Sequence, residues 1–368
     1  MCLQLPPSTD LSDYEGNAGS SAMAKIAEQL NATGMKNVDT VRLTARIPVV
    51  MFDYPMTSEI GAPELHSRNE KVPVVLECDL SMQNPLACLN TSLLLSYSNI
   101  SPQTRVLVSI IKRWAKRRDI NNPAKHTVSS YGYILMLLQF LTTHYTKADG
   151  QVVPVPSADE VAGQQDKHGH GPPPITPLLP NLQWMDQVWP QTSMETPYRE
   201  MTQKPQNNYC LMAHPTEPSF VVNSYFFRLT DPNAMTTLQE RFSADNDTPV
   251  RNRPSVASLL AAFFRYYAFE FDYRRQVVSL NATLTHGSID KETKAEQDGW
   301  SLYRQVLSIE DPFETFYDVA HVLKQNSFQR VRREFALAYT KIVDSAIKND
   351  KTGRDIIDFI CEPLSEND

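Results

Sequence analysis

The sequence predicts an α+β protein in which a small mixed β-sheet comes first and a mainly helical region follows. Two segments near the N-terminus, residues 41–52 and 72–80, alternate apolar and polar side chains as half-buried strands do. After Pro85 the apolar residues recur at helical spacing, which is typical of helices packed on a core. A chain of 368 residues is long enough to form two domains with cores of their own.

The two strand segments are expected to be neighbours in a mostly antiparallel sheet, because a polar connection of residues 53–71 joins them. In the first segment, alternate residues from Val41 to Met51 are predicted to share one face of a strand. In the second segment the apolar residues occupy the even positions, so Glu77 and Asp79 point to the other face. Asp79 then stands near the end of a strand, where a sheet can aim a carboxylate at a metal ion. The alternative is a solvated acid at a strand end.

Several helices are predicted after Pro85, each from a start signal or an apolar stripe. Ser101 and Pro102 match the N-cap and the first position of one helix. Residues 128–145 are apolar nearly all round, which indicates a central buried helix. Residues 329–347 have the pattern of a late amphipathic helix.

These patterns divide the chain into three parts. Residues 1–84 are predicted to form the sheet domain, residues 85–347 the helical domain, and residues 348–368 a C-terminal tail. Within the helical domain, residues 146–180 hold few apolar anchors and many Gly, Pro and His residues. That composition predicts a flexible insertion.

Charge and cysteine content exclude several classes of protein. The net charge of −7 gives no global basic field for nucleic acid, so RNA contacts must use local basic residues such as Arg113, Arg117 and Arg118. The five cysteines show neither a zinc spacing nor a disulfide framework, which fits a reducing compartment. No apolar run is long enough for a membrane span, and no signal peptide is seen. An intracellular protein, cytoplasmic or nuclear, with no membrane partner is therefore expected.

Three groups of polar residues have chemistry that suits a nucleoside triphosphate. Lys112 and Lys116 are one helical turn apart, so they project from one face and can hold a triphosphate as point charges. Ser130 and Tyr131 begin the apolar helix, where the hydroxyl can bind a phosphate and the ring can stack on a base. Acids within residues 308–318 can accept from a base edge. Each group also has a structural alternative: a solvated basic face, a capping serine beside a core tyrosine, and an acidic loop.

The order of these segments resembles that of the noncanonical poly(A)/poly(U) polymerases, the RNA terminal nucleotidyltransferases of the polymerase-beta-like superfamily. The similarity is carried by LECDLS, ACLNTSLLLSYS, VSIIKRWAKRRDIN, TVSSYGYILMLLQFL, PLLPNLQ, SVASLLAAFFRYYAFEFD, GW (Gly299-Trp300), SIEDPFE and FQRVRREF. Several of these segments are long and colinear, and together they cover most of the chain apart from the insertion and the tail.

The resemblance implies a nucleotidyltransferase sheet domain, a helical poly(A)-polymerase-associated domain and a cleft between them. It implies transfer of AMP or UMP from ATP or UTP to an RNA 3′ end, with two Mg²⁺ (or Mn²⁺) ions clamping the attacking hydroxyl and the leaving group. Asp79 matches the third metal-binding aspartate, which makes it the candidate catalytic residue. The candidate nucleotide-binding residues are Asn90, Thr91, Lys112, Lys116, Ser130, Tyr131, Asp311, Glu314 and Tyr317.

Two features depart from the family pattern. The family carries a Gly-Ser motif and an Asp-x-Asp pair just before a segment like MCLQLP, so both aspartates are expected upstream of Met1. A truncated sequence is favoured, because the downstream nucleotide residues are present. The alternative is a catalytically inactive homologue that acts as an RNA-binding, nucleotide-binding or scaffold subunit.

The second departure concerns the base. Uridylyl-transferring members often carry a histidine three residues after the acid that corresponds to Glu314, where this chain has Tyr317. A histidine can satisfy a uracil carbonyl and hinder adenine. Its absence favours ATP as the substrate, with UTP as the alternative.

Overall fold

The computed structural model describes residues 2–3, 18–45, 47–55, 75–82, 84–156, 177–183, 211–213, 221–224, 226, 236, 239, 254–281, 289–300, 306–348 and 352–363. The chain divides into two compact units, Met1–Thr91 with Ala213–Phe220 and Ser92–Met212 with Val221–Asp368. The domain ranges given from the sequence stay predictions. Within the described ranges, no helix combines the length and the apolar character that a membrane crossing requires.

The first unit is built on a four-stranded mixed sheet. Its elements are β1 (Cys2–Leu3), α1 (Ala18–Ala32), β2 (Lys36–Asp39), β3 (Val49–Pro55) and β4 (Val75–Met82). The strand order is β1-β4-β3-β2, with β1 parallel to β4 and the other two pairs antiparallel. The prediction of a mixed sheet in an α+β chain is therefore confirmed.

The core of this unit lies between α1 and one face of the sheet. Met23 and Ala27 of α1 are buried with Val50, Phe52 and Leu80. Burying these five apolar side chains is what holds the helix on the sheet.

The first strand begins later than the alternation of residues 41–52 predicts. Residues Val41–Thr44 form a 3₁₀ turn in which Val41 is 80% exposed, and the strand begins only at Val49. The buried side chains of β3 are those of Val50 and Phe52, while Met51 is half-buried. Since this strand is apolar on both faces, its alternation does not say which face is inside.

The second unit is mainly helical, as predicted. Its helices are α2 (Pro85–Ile100), α3 (Pro102–Arg117), α4 (Ser130–Thr143), α5 (Val256–Arg265), α6 (Lys291–Asp298), α7 (Gln325–Lys348) and α8 (Gly353–Ile360). A π-helical turn, Tyr266–Glu270, continues α5. Two strand pairs complete the described elements, β5 (His144–Thr146) with β6 (Val152–Pro154) and β7 (Leu211–Ala213) with β8 (Val221–Asn223). The contact division falls within α2, so this helix is shared between the units.

The core of the second unit is aromatic. Trp114 of α3 contacts Tyr133 of α4, Phe264 of α5 and Phe335 of α7, with ring centroids 5.9, 4.8 and 5.2 Å away. The α3 side chains of Leu107, Ile110, Ile111 and Trp114 form one buried stripe, and almost all of α4 after its first two residues is buried too. The central buried helix predicted from the sequence is therefore confirmed. Residues 157–176 of the predicted insertion lie outside the described residues.

Candidate functional site

Asp79 lies on the solvent-facing side of β4. It is exposed and stands opposite Met51 of β3, while Leu80, the next residue, points into the core. Because alternate residues share a face, Glu77 and its cross-strand neighbour Asp53 lie on the same side of the sheet as Asp79. The carboxylate of Asp53 is already engaged, since Asn37 Nδ2 donates to it at 2.6 Å.

These acids do not complete a metal site. Within the ranges that the structure describes, no three His, Cys, Asp or Glu side chains are grouped so that they could hold a metal ion. A two-metal centre needs several carboxylates that converge on the ions. Asp79 can serve as one donor, and the described residues do not supply the rest of the set.

Asn90 and Thr91 lie on α2, at the end of the first unit. The hydroxyl proton of Thr91 is donated back to the Ala87 carbonyl at 2.8 Å. Thr91 is exposed and Asn90 is half-buried. The lone pairs of the Thr91 hydroxyl can therefore accept from a ribose hydroxyl.

The two lysines of α3 lie on its exposed face, as the spacing predicts. Both Lys112 and Lys116 are exposed, and no ion pair of either ammonium group is found in the described part of the chain. The arginines that alternate with them are held by α8 and the residues after it. Arg113 pairs with Asp358 at 2.6 Å, and Arg117 Nε donates to the Cys361 carbonyl at 3.4 Å.

The sequence suggested Arg118 as an RNA contact, and the structure contradicts this. Its side chain is 2% exposed and pairs with the equally buried Glu334 of α7 at 2.6 Å. It also donates to the Glu362 carbonyl at 2.7 Å. A buried guanidinium with these partners connects α3 to α7 and the C-terminal segment, and it is not available to a ligand.

The N-terminus of α4 brings several predicted residues together. Ser129 is the N-cap, because its Oγ accepts from the Gly132 N–H at 3.0 Å. The capping alternative considered for Ser130 is therefore wrong, and Ser130 Oγ instead accepts from Asn121 Nδ2 at 2.8 Å. The Tyr131 hydroxyl donates to Asp311 Oδ2 at 3.0 Å, across 180 residues of sequence.

A glycine allows this close approach. A Cβ at Gly132 would lie 2.8 Å from Val128 Cγ1 and 3.2 Å from Ile309 Cδ1, both tighter than ordinary contact. A side chain at this position would force the Val128 side chain to move and Ile309 Cδ1 to shift by a few tenths of an ångström. The absence of a side chain at position 132 therefore lets residues 308–318, called the acidic loop below, pack closely on the start of α4.

Within the acidic loop, Asp311 closes a tight turn. Its Oδ1 accepts from the backbone N–H groups of Phe313 and Glu314 at 2.9 and 3.0 Å. The Tyr317 N–H donates to the Glu314 carbonyl at 2.7 Å, and the Asp311 N–H donates to the Tyr317 carbonyl at 3.2 Å. The three predicted residues Asp311, Glu314 and Tyr317 therefore belong to one hydrogen-bonded turn.

Burial changes the ionisation of the tyrosine–aspartate pair. Burial, followed by the nearby charge of Asp311, raises the pKa of Tyr131 well above its usual range. Burial also raises the pKa of Asp311, while the N–H groups of Glu314 and Phe313 and the Tyr131 hydroxyl oppose that rise. Tyr131 therefore stays protonated at neutral pH and acts as the donor in this pair.

Four side chains outside the loop donate hydrogen bonds to its carbonyl groups, among them Asn281 Nδ2, which donates to the Pro312 carbonyl at 3.3 Å. Gln183 Nε2 donates to the Pro312 carbonyl at 2.8 Å and Trp300 Nε1 to the Phe316 carbonyl at 2.9 Å. Lys294 Nζ donates to the Thr315 carbonyl at 2.7 Å. Gln183 and Trp300 lie in segments that the sequence marked without a role, whereas no sequence signal marked Lys294.

Glu310 stabilises the acidic loop through contacts with three buried or half-buried side chains. Its Oε2 accepts from Lys294 Nζ at 2.5 Å, and both side chains are almost completely buried. Its Oε1 accepts from Ser279 Oγ and Asn281 Nδ2, each at 2.7 Å. A buried carboxylate with three donors is well satisfied, so it holds the loop in one conformation.

Two family models match the chain. Residues 1–99 match the model of the poly(A) RNA polymerase, mitochondrial-like, central palm domain. Residues 255–315, which include Asp311 and Glu314, match the model of the Cid1 family poly A polymerase.

Curated relatives are similar over most of this chain. Terminal uridylyltransferase cid1 of Schizosaccharomyces pombe is 26% identical over 331 residues, which is 86% of this chain and 60% of the relative. Poly(A) RNA polymerase GLD2-B of Xenopus laevis is 24% identical over 285 residues, 75% of this chain and 40% of the relative. Human terminal uridylyltransferase 4 is 26% identical over 292 residues, 79% of this chain and 12% of the relative. The chain thus spans at most 60% of the length of these relatives.

Solved structures share the fold. A crystal structure of the Cid1 poly(U) polymerase with Mg 3′-dATP bound aligns with a TM-score of 0.56 at 24% identity, covering 99% of this chain and 80% of that chain. A cytoplasmic RNA terminal U-transferase aligns with a TM-score of 0.58 at 24% identity, covering 99% and 79%.

Proposed function

Because the chain belongs to the noncanonical poly(A)/poly(U) polymerase family, we propose that it adds nucleotides to RNA 3′ ends without a template. AMP from ATP is the favoured addition, with UMP from UTP as the alternative. The observation that carries the proposal is the hydrogen bond from Tyr131 to Asp311, which joins the start of α4 to the acidic loop. It brings the expected stacking residue and the expected base-edge acids into one site.

The second unit supplies the groups that a nucleoside triphosphate needs. Lys112 and Lys116 offer exposed positive charge for the phosphates. Ser130 adds a hydroxyl at the positive end of the α4 dipole. The Tyr131 ring offers a stacking surface, and its hydroxyl is tied to Asp311 so that the ring has little freedom to turn.

Glu314 and Tyr317 are proposed to read the base edge. Both oxygens of Asp311 already accept protein hydrogen bonds, from Tyr131 on one side and from two backbone N–H groups on the other. Asp311 is therefore proposed to act on the base mainly by holding Tyr131. Tyr317 stands where a uridylyl-transferring member often has histidine, which supports the preference for ATP.

Metal ions, when bound, would neutralise phosphate charge and activate the attacking hydroxyl. We propose Asp79 as one Mg²⁺ or Mn²⁺ ligand, and the described residues do not complete the set.

The incomplete donor set also favours a second candidate function. A homologue without the other aspartates would keep the nucleotide pocket of the second unit and bind RNA or nucleotide without turnover. Such a protein would act as a binding or scaffold subunit.

The test is extension of a labelled oligo(A) primer by the purified chain with Mg²⁺ and ATP or UTP. Extension is expected to be lost in Asp79→Ala and kept in Glu77→Ala, which removes a carboxylate from the same face of the same strand. The chain is tested as given and, where the reading frame of its gene continues upstream, with that segment included. No extension in either form would refute the polymerase, and nucleotide binding without turnover would favour the second candidate.

A further inference from the structure

One side chain outside the predicted nucleotide residues acts directly on one of them. Asn121 lies in the connection between α3 and α4, and its Nδ2 amide donates a 2.8 Å hydrogen bond to Ser130 Oγ. A serine hydroxyl has one proton to donate and two lone pairs that accept. Since the amide occupies one lone pair, the proton of Ser130 must be donated to a different group.

In the part of the chain that the structure describes, no protein group takes that proton. The helix cap that a serine often supplies is made by Ser129, which accepts from the Gly132 N–H. Ser130 is half-buried at the first residue of α4, a helix of 14 residues. Its hydroxyl proton is therefore left for a ligand at this helix end.

The connection holds Asn121 in place from both sides. On one side the Ile120 carbonyl accepts from the buried Tyr133 hydroxyl at 3.0 Å. On the other side the Asn122 N–H donates to Thr127 Oγ1 at 2.7 Å. Because the backbone is fixed at both neighbours, the amide can orient the serine hydroxyl before any ligand arrives.

We propose that Asn121 is a positioning residue for Ser130, and that it aims the hydroxyl proton of the serine at a phosphate oxygen of the bound nucleoside triphosphate. The inference rests on the proposed function, because it needs a triphosphate at the N-terminus of α4. The effect of Asn121 on the nucleotide passes through Ser130.

A double-mutant cycle tests whether the effect passes through the serine. Affinities for ATP and UTP are measured by competition against a fluorescent nucleotide, with adenosine and uridine as competitors that lack phosphates. Asn121→Ala and Ser130→Ala should each weaken triphosphate binding about three- to tenfold, the loss of one hydrogen bond. The double variant should bind no more weakly than Ser130→Ala, and nucleoside binding should stay unchanged. Additive losses, or equal losses for nucleosides, would overturn the positioning role.

Asn121→Asp tests the direction of the hydrogen bond. A carboxylate cannot donate and would take the Ser130 proton for itself, so triphosphate affinity should fall below that of Asn121→Ala. Asn122→Asp is the matched control. It adds the same charge one residue away, while the Asn122 oxygen only accepts from the Ala124 N–H at 3.0 Å, which an aspartate can still do. Equal affinities of Asn121→Asp and Asn122→Asp would contradict the proposal.

These measurements distinguish a failure of the proposed function from a failure of the positioning role of Asn121. If the wild-type chain binds neither ATP nor UTP, the proposed function fails and the positioning role fails with it. If the wild type binds, and Ser130→Ala weakens binding while Asn121→Ala does not, only the positioning role is overturned.

Discussion

At the scale of single residues, the candidate site depends on side chains that are not among the proposed nucleotide-binding residues. Lys294 is 3% exposed, and it holds the acidic loop through both the Glu310 carboxylate and the Thr315 carbonyl. Taking these charges out of water is costly, and the cost is offset only while each charge keeps its partners. The rigidity of the loop that carries Asp311 and Glu314 therefore depends on a buried ion pair.

Lys294→Met is expected to lower the free energy of unfolding by about 3–5 kcal/mol, because it leaves the Glu310 carboxylate buried without its cation. Urea unfolding measures this loss. The matched control is Lys125→Met, whose partner Asp119 is 3.4 Å away and whose ion pair is more than half exposed on both sides. That variant should lose less than about 1 kcal/mol. Similar losses in the two variants would contradict the role given to Lys294.

Sequence reasoning identified Tyr131, Asp311 and Glu314 but could not identify Lys294. The helix α6 reads KETKAEQD, a charged pattern typical of a solvated helix, and nothing in it shows that one lysine is buried. Gly132 was missed for a related reason. Besides the Val128 side chain one turn earlier, the Ile309 side chain crowds this position, and no local pattern reports a contact with a residue so distant in sequence.

At the scale of elements, α3 separates its basic residues by face. Its apolar stripe is buried in the aromatic core, and its lysines are exposed. Arg113 and Arg117 are held by α8 and the residue that follows it. The spacing of the lysines was predictable because helical geometry is regular. The pairing of Arg113 and Arg117 with the C-terminal segment was not predictable, because α8 follows more than 200 residues later in the chain.

Removing one lysine charge from α3 is expected to weaken triphosphate binding, whereas removing a neighbouring arginine charge should not. Lys112→Ala and Lys116→Ala should each lower the affinity for ATP about tenfold at low salt, with a smaller loss at high salt. Arg113→Ala on the same helix is the matched control, since its guanidinium pairs with Asp358. Binding titrations at two salt concentrations give the comparison. If Arg113→Ala lowers the affinity for ATP as much as the lysine variants do, the proposal that only the lysines of α3 bind the triphosphate is contradicted.

The strands were predictable in pairing but not in detail. The antiparallel pairing of β3 with β4, and the outward direction of Asp79, followed from alternation and from the polar connection. The start of β3 did not, because the apolar residues of Val41–Thr44 continue the alternation while their backbone forms a 3₁₀ turn. Alternation reports which residues share a face only where a strand is present.

At the scale of the whole molecule, the residues proposed for the reaction belong to both units. Asp79, the proposed metal ligand, lies in the first unit, and the residues proposed to hold the triphosphate and the base at α3, α4 and the acidic loop lie in the second. The helical unit could be outlined from the sequence because its apolar spacing is regular over long segments. Its nucleotide-binding residues could be proposed only through the order of the motifs, since each motif alone has an ordinary structural alternative.

The central claim is tested most directly by sequencing the tails that the chain, together with any in-frame upstream segment of its gene, adds to an oligo(A)-free RNA primer in an equal mixture of the four nucleoside triphosphates and Mg²⁺. The predicted result is tails made mainly of A, with a larger share of U in Tyr317→His and no tails in Asp79→Ala. An RNA that stays unextended under these conditions would contradict the account.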